Sequence, residues 1–291
     1  MTGPVPLHPE PCLPGPVPRS GRDKLAGVPD PLVSQLRAAG CVFAEQEARL
    51  LRSAAAGPVE LAALLQRRIR GVPLEHILGW AEFCGIRVVV RPEVFIPRGR
   101  TELLARQAAV LVGPERSTVV DMCCGCGAIG RAIVTLAGAP VRLHAADIDP
   151  VAVACAQENL VPVGGQVHHG DLYGALPAHL RGRVDVLAAN VPYVPAPAIG
   201  ATRFWPYEPS LALSGGDDGL DVLRRLAVQA AQWLAPGGHL LVEAGRDQAP
   251  VAGEVMDAAG LSSRVLRDDE AAATVVIGRR ARPVNARRCA S

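Results

Sequence analysis

Thr118-Val119-Val120-Asp121-Met122-Cys123-Cys124-Gly125-Cys126-Gly127 is the stretch whose reading decides the fold. Thr118 to Met122 is short, rich in β-branched residues and apolar around a single acid, the pattern of a buried strand. Gly125 and Gly127 allow a tight turn and a close approach of backbone to a ligand. Ala128 to Leu136 follows as a helix, whose first turn aims unpaired N–H groups at whatever lies over that turn. Strand, glycine turn and helix make the first half of a strand–helix–strand unit.

The same alternation runs on downstream. Val141 to Ala146 reads as a second strand, and Asp149-Pro150 opens a helix with Asp149 as N-cap and Pro150 at the first helical position. Gln166 to His169 and Val184 to Ala189 are further strands. Leu220 to Leu234 is a helix that stops at Pro236-Gly237-Gly238, His239 to Glu243 a strand, and Ala249 to Ala259 a helix. Ser263 to Leu266 and Thr274 to Ile277 are the last strands, and a basic tail follows from Arg279. Strands alternating with helices predict a mainly parallel sheet covered on both faces.

Upstream the pattern differs. Residues 1–30 are rich in proline and glycine and read as a disordered leader. From Pro31 to Arg70 apolar residues recur at helical spacing, broken by Gly40 and Gly57-Pro58, so residues 31–75 read as a small helical domain. Gly71 to Gly79 is read as a connector. Phe83 to Val90 is read as part of a hairpin, and Thr101 as the N-cap of a helix over Glu102 to Val112. The large domain is then 76–280, with the hairpin at its start, and 281–291 is a loose basic tail.

The 291 residues suit one large unit plus a small one. A net charge of +2 argues against nucleic acid or an acidic membrane as partner. No apolar run is long enough to span a bilayer, and the N-terminus lacks the pattern of a signal peptide. These readings place the chain in the cytoplasm, with its eight cysteines as reduced thiols.

Strand ends carry the candidate site residues. Asp147, at the end of the second strand, stands where an acid accepts hydrogen bonds from a ribose, and Asp171 follows the third strand, near where an adenine edge lies. The turn lacks the full G-x-G-x-x-G that seats a pyrophosphate, which favours a nucleoside ligand without phosphates; S-adenosylmethionine (AdoMet) fits. Cys123 and Cys126 form a C-x-x-C, also the spacing of a thiol redox motif or of half a metal site. No second C-x-x-C exists, so they are read as small residues of a ligand loop, with no metal. After the strand ending at Ala189 comes Asn190-Val191-Pro192-Tyr193. Asn190 offers a side-chain carbonyl, Val191 a backbone carbonyl, Pro192 a fixed φ, and Tyr193 a flat face. Those parts suit holding a planar nitrogen group beside a methyl donor.

Taken together, these segments resemble the protein-(glutamine-N5) methyltransferase family that modifies peptide-chain release factors. The likeness spans about Gly71 to Arg280. It is carried by Pro73-Leu74-Glu75-His76-Ile77-Leu78-Gly79, Phe95-Ile96-Pro97-Arg98 with Thr101-Glu102, the Asp121 to Gly127 turn, and Ala146-Asp147-Ile148-Asp149-Pro150. Gly170-Asp171-Leu172, Asn190 to Tyr193, Tyr207-Glu208-Pro209 and Trp233 to Gly238 complete it. The resemblance implies a class I AdoMet-dependent methyltransferase: a Rossmann-like, seven-stranded mainly parallel sheet with one antiparallel strand, behind a small N-terminal helical domain.

By the same resemblance, Asp121, Cys123, Cys124, Gly125, Cys126 and Gly127 line the methionine part of AdoMet. Asp147 holds the ribose, Asp171 and Leu172 border the adenine, and Asn190 closes the cofactor site. Asn190 and Tyr193 are the catalytic pair, and Asn190, Val191, Pro192 and Tyr193 bind the target amide. The implied substrate is a glutamine in the Gly-Gly-Gln loop of a release factor. Three departures mark a divergent subgroup. Val191 stands where the family has proline, Gly99 stands where it has proline, and Cys123 replaces a glycine whose φ and ψ it must adopt. The alternatives are an adenine-amine methyltransferase of DNA or RNA, a non-catalytic AdoMet-binding protein and a thiol redox protein.

Overall fold

The computed structural model describes residues 30–201 and 206–282; the leader up to residue 29 and the tail from 283 lie outside them. Asp30, read above as part of the leader, caps α1 (Pro31–Ala38) by accepting the Leu32 N–H at 3.0 Å. Helices α2 (Ala44–Ala54) and α3 (Pro58–Ile69) follow, and the expected connector contains a further short helix, α4 (Leu74–Leu78). Gly79, left-handed at φ 79°, ends α4. Leu36, Ala44, Ala48, Leu51, Leu65 and Ile77 form the core of this helical part. Within it Arg68 and Glu47 make a buried pair at 2.6 Å.

The hairpin is built from β1 (Trp80–Phe83) and β2 (Ile86–Val89), turning at Cys84-Gly85. A 3-10 turn, Gly99–Thr101, leads into α5 (Glu102–Val110). Thr101 does not cap that helix: the preceding 3-10 turn gives it a helical φ of −68°, and its hydroxyl is buried without a partner among the described residues.

β3 (Ser117–Met122), α6 (Ala128–Leu136), β4 (Val141–Asp147), α7 (Pro150–Leu160) and β5 (Gln166–His169) form one half of the large sheet. β6 (Val184–Ala189), the short α8 (Ser210–Leu213), α9 (Asp221–Trp233), β7 (Leu234–Glu243), α10 (Ala249–Ala258), β8 (Leu261–Asp268) and β9 (Ala273–Arg280) form the other. Pro236-Gly237-Gly238 lies inside β7 rather than after the helix, because β7 pairs with β6 at Leu234 as well as beyond a register shift. Arg279 and Arg280, read as tail, are the last residues of β9.

The seven-stranded order is β5-β4-β3-β6-β7-β9-β8, with β9 antiparallel to both neighbours and the rest parallel. The side-chain period of two divides the strands between two cores. Val119, Leu143, Ala145, Val186, Ala188 and Leu241 face one layer, with Ile129, Ile133 and Leu104 from helices above them. Val120, Met122, Ala146, Leu187, Leu240 and Val242 face the other, with Leu223, Leu226 and Met256. From β3 the chain winds outward to β4 and β5, then returns to place β6 on the other side of β3. Ligands of open α/β sheets bind at such a reversal, beyond the carboxyl ends of the strands. Asp121 to Gly127 and Asn190 to Tyr193 leave those two neighbouring ends.

Candidate active site

The turn after β3 is held mainly by backbone. Cys124 donates its N–H to the Ala146 carbonyl (3.1 Å), and Gly127 to that of Cys124 (2.7 Å). Asp147 accepts the Gly125 N–H at 2.8 Å and the Asp149 N–H at 3.0 Å. The expected cap is present too, with Val151 N–H donating to Asp149 at 2.8 Å. Gly127 needs to be glycine twice over: its φ is +80°, and a Cβ there meets Leu160 at 2.9 Å. Cys123 adopts the glycine-like φ of +56° that its place in the turn demands.

Cys124 and Cys126 are buried in this turn, and Cys123 is partly so. Burial pushes Cys123 and Cys126 well above the ordinary range, and the neighbouring carboxylates of Asp147 and Asp121 push Cys123 further. Reactive thiols need the opposite, a depressed pKa. Both cysteines are free thiols, and their surroundings favour the reading as small loop residues over the redox one.

Asp121 is fully buried. One oxygen accepts the Gly130 N–H of α6 at 2.8 Å, tying strand to helix, and the other has no partner among the described residues. Burial raises its carboxyl to about 8, against the pull of the Gly130 N–H and with a further push from Asp147. Burial raises Asp147 as well, while its backbone donors lower it. A carboxylate has about four lone-pair sites, so Asp147 keeps acceptor capacity for a ligand beside its two present bonds. Gly170 donates to the Asp147 carbonyl at 2.9 Å, which draws the Asp171 segment to the same corner. Leu172 there is buried with φ +45°, while the exposed Asp171 carboxylate pairs with Arg225 of α9.

At the end of β6, the Asn190 side-chain oxygen is buried without a partner among the described residues. A buried acceptor left unpaired costs about 1–3 kcal/mol. Val191 is buried, and Pro192 and Tyr193 are partly so. The Tyr193 hydroxyl lies between Arg100 (2.7 Å) and Glu243 (2.7 Å), and its carbonyl accepts from Gln248 at 2.9 Å. Glu208, His168 and His169 each have a partner within the fold. Glu208 accepts from Ile96 N–H at 2.9 Å and pairs with Arg98 at 2.6 Å. His168 meets His144 at 3.0 Å, and His169 the Ile148 carbonyl at 3.0 Å.

Four supporting residues are absent from the sequence reading of the site. Asn159 of α7 donates to the Cys126 carbonyl (2.8 Å) and pairs with both the N–H and the carbonyl of Val89, so it ties the turn to the hairpin. Arg100, Glu243 and Gln248 converge on Tyr193 from separate segments. Only Glu243 had a usable sign, an acid at a strand end like Asp121 and Asp147.

Comparison with known proteins fits this geometry. The family described as "Methyltransferase small domain" matches residues 96–199. The release factor glutamine methyltransferase of Moorella thermoacetica is 38% identical over 67% of this chain and 70% of its own length. The 4-amino-L-phenylalanine/4-methylamino-L-phenylalanine methyltransferase of Streptomyces pristinaespiralis is 35% identical over 66% and 68%. A methyltransferase structure from Pyrococcus furiosus covers 74% of this chain and 99% of its own with a TM-score of 0.51; at 14% identity it shows the fold alone. The methyl donor is AdoMet. The residues present suit it: Asp121 keeps an unpaired buried oxygen at the end of β3, and Asp147 keeps acceptor capacity at the end of β4, beside the same turn. With that fold, that switch-point site and relatives matched over two thirds of their length, the chain belongs to the release factor glutamine methyltransferase family.

Proposed function

We propose that this methyltransferase acts on the side-chain amide nitrogen of a protein glutamine, in the Gly-Gly-Gln loop of a peptide-chain release factor, and works in the cytoplasm. The observation that carries the reading is the unpaired, buried Asn190 oxygen at the end of β6, next to the cofactor turn at the end of β3. The name of the Moorella relative supports the substrate. In this reading the Asp121–Gly127 turn receives the methionine part of AdoMet, Asp147 the ribose, and Asp171 with Leu172 the adenine. We take residues 31–75 as the part that positions the protein substrate.

An amide nitrogen is a poor nucleophile, because its lone pair is delocalised into the carbonyl. AdoMet, when bound, supplies a methyl group on a sulfonium that leaves as a neutral thioether. The Asn190 oxygen and the Val191 carbonyl accept the two N–H groups of the glutamine. They stabilise positive charge on nitrogen as it develops, and they do so without reorganising. They also fix the nitrogen in line, which removes much of the entropic barrier. The Tyr193 ring forms a wall of the amide site. The methylated nitrogen is strongly acidic until it loses its extra proton, so the residues need supply no general base before transfer.

A second reading has one observation in its favour. The Streptomyces pristinaespiralis relative is named for an arylamine of a free amino acid, and a planar amine presents the same two N–H groups to Asn190 and Val191. Mass spectrometry decides. Purified enzyme and AdoMet are incubated separately with release factor, 4-amino-L-phenylalanine and DNA or RNA. A methyl on the Gly-Gly-Gln glutamine supports the proposal. Methyl on the arylamine or on adenine, with the release factor untouched, replaces it.

A further inference from the structure

Tyr193 is held more firmly than a tyrosine in a loop needs to be. Arg100, on the 3-10 turn Gly99–Thr101, donates to its hydroxyl from Nη2 at 2.7 Å and from Nε at 3.2 Å. The hydroxyl donates in turn to Glu243 Oε1 at 2.7 Å, and Arg100 Nε reaches the same oxygen at 2.9 Å. The three groups close a triangle contributed by segments 93 and 50 residues distant in sequence from Tyr193. Ala189 of β6 lies opposite Val242 of β7, so Glu243 stands level with Asn190 at the carboxyl edge of the sheet. Its carboxylate is 3% exposed, and its second oxygen, Oε2, is buried with no partner among the described residues.

Stability alone accounts poorly for this arrangement. Burying the Glu243 carboxylate costs several kcal/mol in desolvation, and its partner Arg100 keeps 37% of its side chain exposed. A buried carboxylate oxygen left without a donor adds to that cost. Buried polar groups left half satisfied are exceptions in folded proteins and call for a reason other than stability. The triangle also has a geometric effect. With its hydroxyl held from both sides and its carbonyl held by Gln248, the Tyr193 ring cannot swing out of the site.

We propose that Arg100 and Glu243 are positioning residues of the transfer reaction: they clamp the Tyr193 hydroxyl so that its ring stands as a fixed wall beside Asn190, against which the planar nitrogen group of the substrate lies. The inference rests on the proposed reading of Asn190 to Tyr193 as the amide site. Arg100 and Glu243 touch neither cofactor nor reacting nitrogen; they act through Tyr193. Misplacing a reacting group by about 1 Å costs about 100-fold in rate, so loosening the wall lowers turnover rather than cofactor binding.

The test is a double-mutant cycle with two readouts. Arg100→Met, Glu243→Gln and Tyr193→Phe are each expected to lower kcat by about 10- to 100-fold while AdoMet Kd stays near that of wild type. Arg100→Met combined with Tyr193→Phe is expected to be no slower than Tyr193→Phe by more than about threefold, since residues that act as a unit are not additive. Multiplied losses in the double variant overturn the proposal. Glu243→Gln removes the charge that holds Arg100 and keeps the volume of the side chain, which guards against mere misfolding. The second readout needs no substrate. The chain has three tyrosines, so 3-fluorotyrosine labelling yields three 19F signals, and Tyr193→Phe assigns one. That signal is expected to shift or broaden in Arg100→Met and Glu243→Gln; an unchanged signal overturns the clamp. A wild-type enzyme that leaves glutamine unmethylated refutes the substrate reading, while the fluorine signal still judges the clamp.

Discussion

The turn after β3 and the turn after β6 leave neighbouring strands of one sheet, yet different things hold them. The first, Asp121 to Gly127, is fixed by its own backbone and by the next strand: Ala146, Asp147 and the glycine conformations at Gly125 and Gly127. The second, Asn190 to Tyr193, is fixed from afar by Arg100, Glu243 and Gln248, and leaves the Asn190 oxygen unpaired. A ligand that is bound mainly through backbone needs a turn of defined shape. A reacting nitrogen needs acceptors kept free for it, and the surrounding residues bear that cost.

The largest expected effect falls on the second turn. Asn190→Ala is expected to lower turnover by about 10²–10³, the scale of one preorganised polar group lost in the transition state. Steady-state kinetics with release factor as substrate measures it, and a variant within tenfold of wild type removes Asn190 from the reaction centre. On the first turn, Asp147→Ala is expected to weaken AdoMet binding by about 1.5–3 kcal/mol, as for hydrogen bonds to a charged group. Calorimetry showing equal affinity breaks the division between the turns.

Asp121 offers a sharper probe of the first turn. Burial lifts its carboxyl from 3.8 to about 8 in the folded protein. The folded state therefore keeps a proton that the unfolded chain releases. The stability this contributes is complete below the unfolded value and is lost as pH rises towards about 8. Asp121→Asn keeps an acceptor for the Gly130 N–H and cannot titrate. Urea unfolding of the ligand-free protein across that range is expected to show a shallower fall with pH in the variant than in wild type; parallel curves contradict the assignment. The smallest effect is at Cys123. Its φ of +56° is one that glycine adopts freely. Cys123→Gly is expected to stabilise by about 0.5–1 kcal/mol, the relief of αL strain less the entropy glycine adds to the unfolded chain. Destabilisation by that amount means the Cys123 side chain packs more usefully than the turn geometry implies.

The contrast also explains what could be read from the chain. Strands β3 to β6 and helix α6 carry dense local patterns, and their expected limits, like the expected start of α7, lie within a residue of those observed. Asp149 and Pro150 announced their helix by local chemistry that any context preserves. Thr101 failed as a cap because a 3-10 turn, set by tertiary contacts, already holds its backbone helical. The strained φ at Cys123 was legible because only one residue type normally fills that place. Asn159, Arg100 and Gln248 were not legible, since each acts across 33 to 93 residues of chain. Long-range hydrogen bonds leave no period and no spacing for a sequence to display.

The central claim is that the two turns divide the work, one holding the cofactor and the other the reacting nitrogen. Calorimetric titration of AdoMet into Asn190→Ala tests it most directly, on the preparation used for its turnover. The account predicts a Kd within about threefold of wild type, a change of under about 0.7 kcal/mol, beside the large loss of turnover. A loss of AdoMet affinity as large as the loss of turnover would contradict it, and would make Asn190 part of the cofactor site instead.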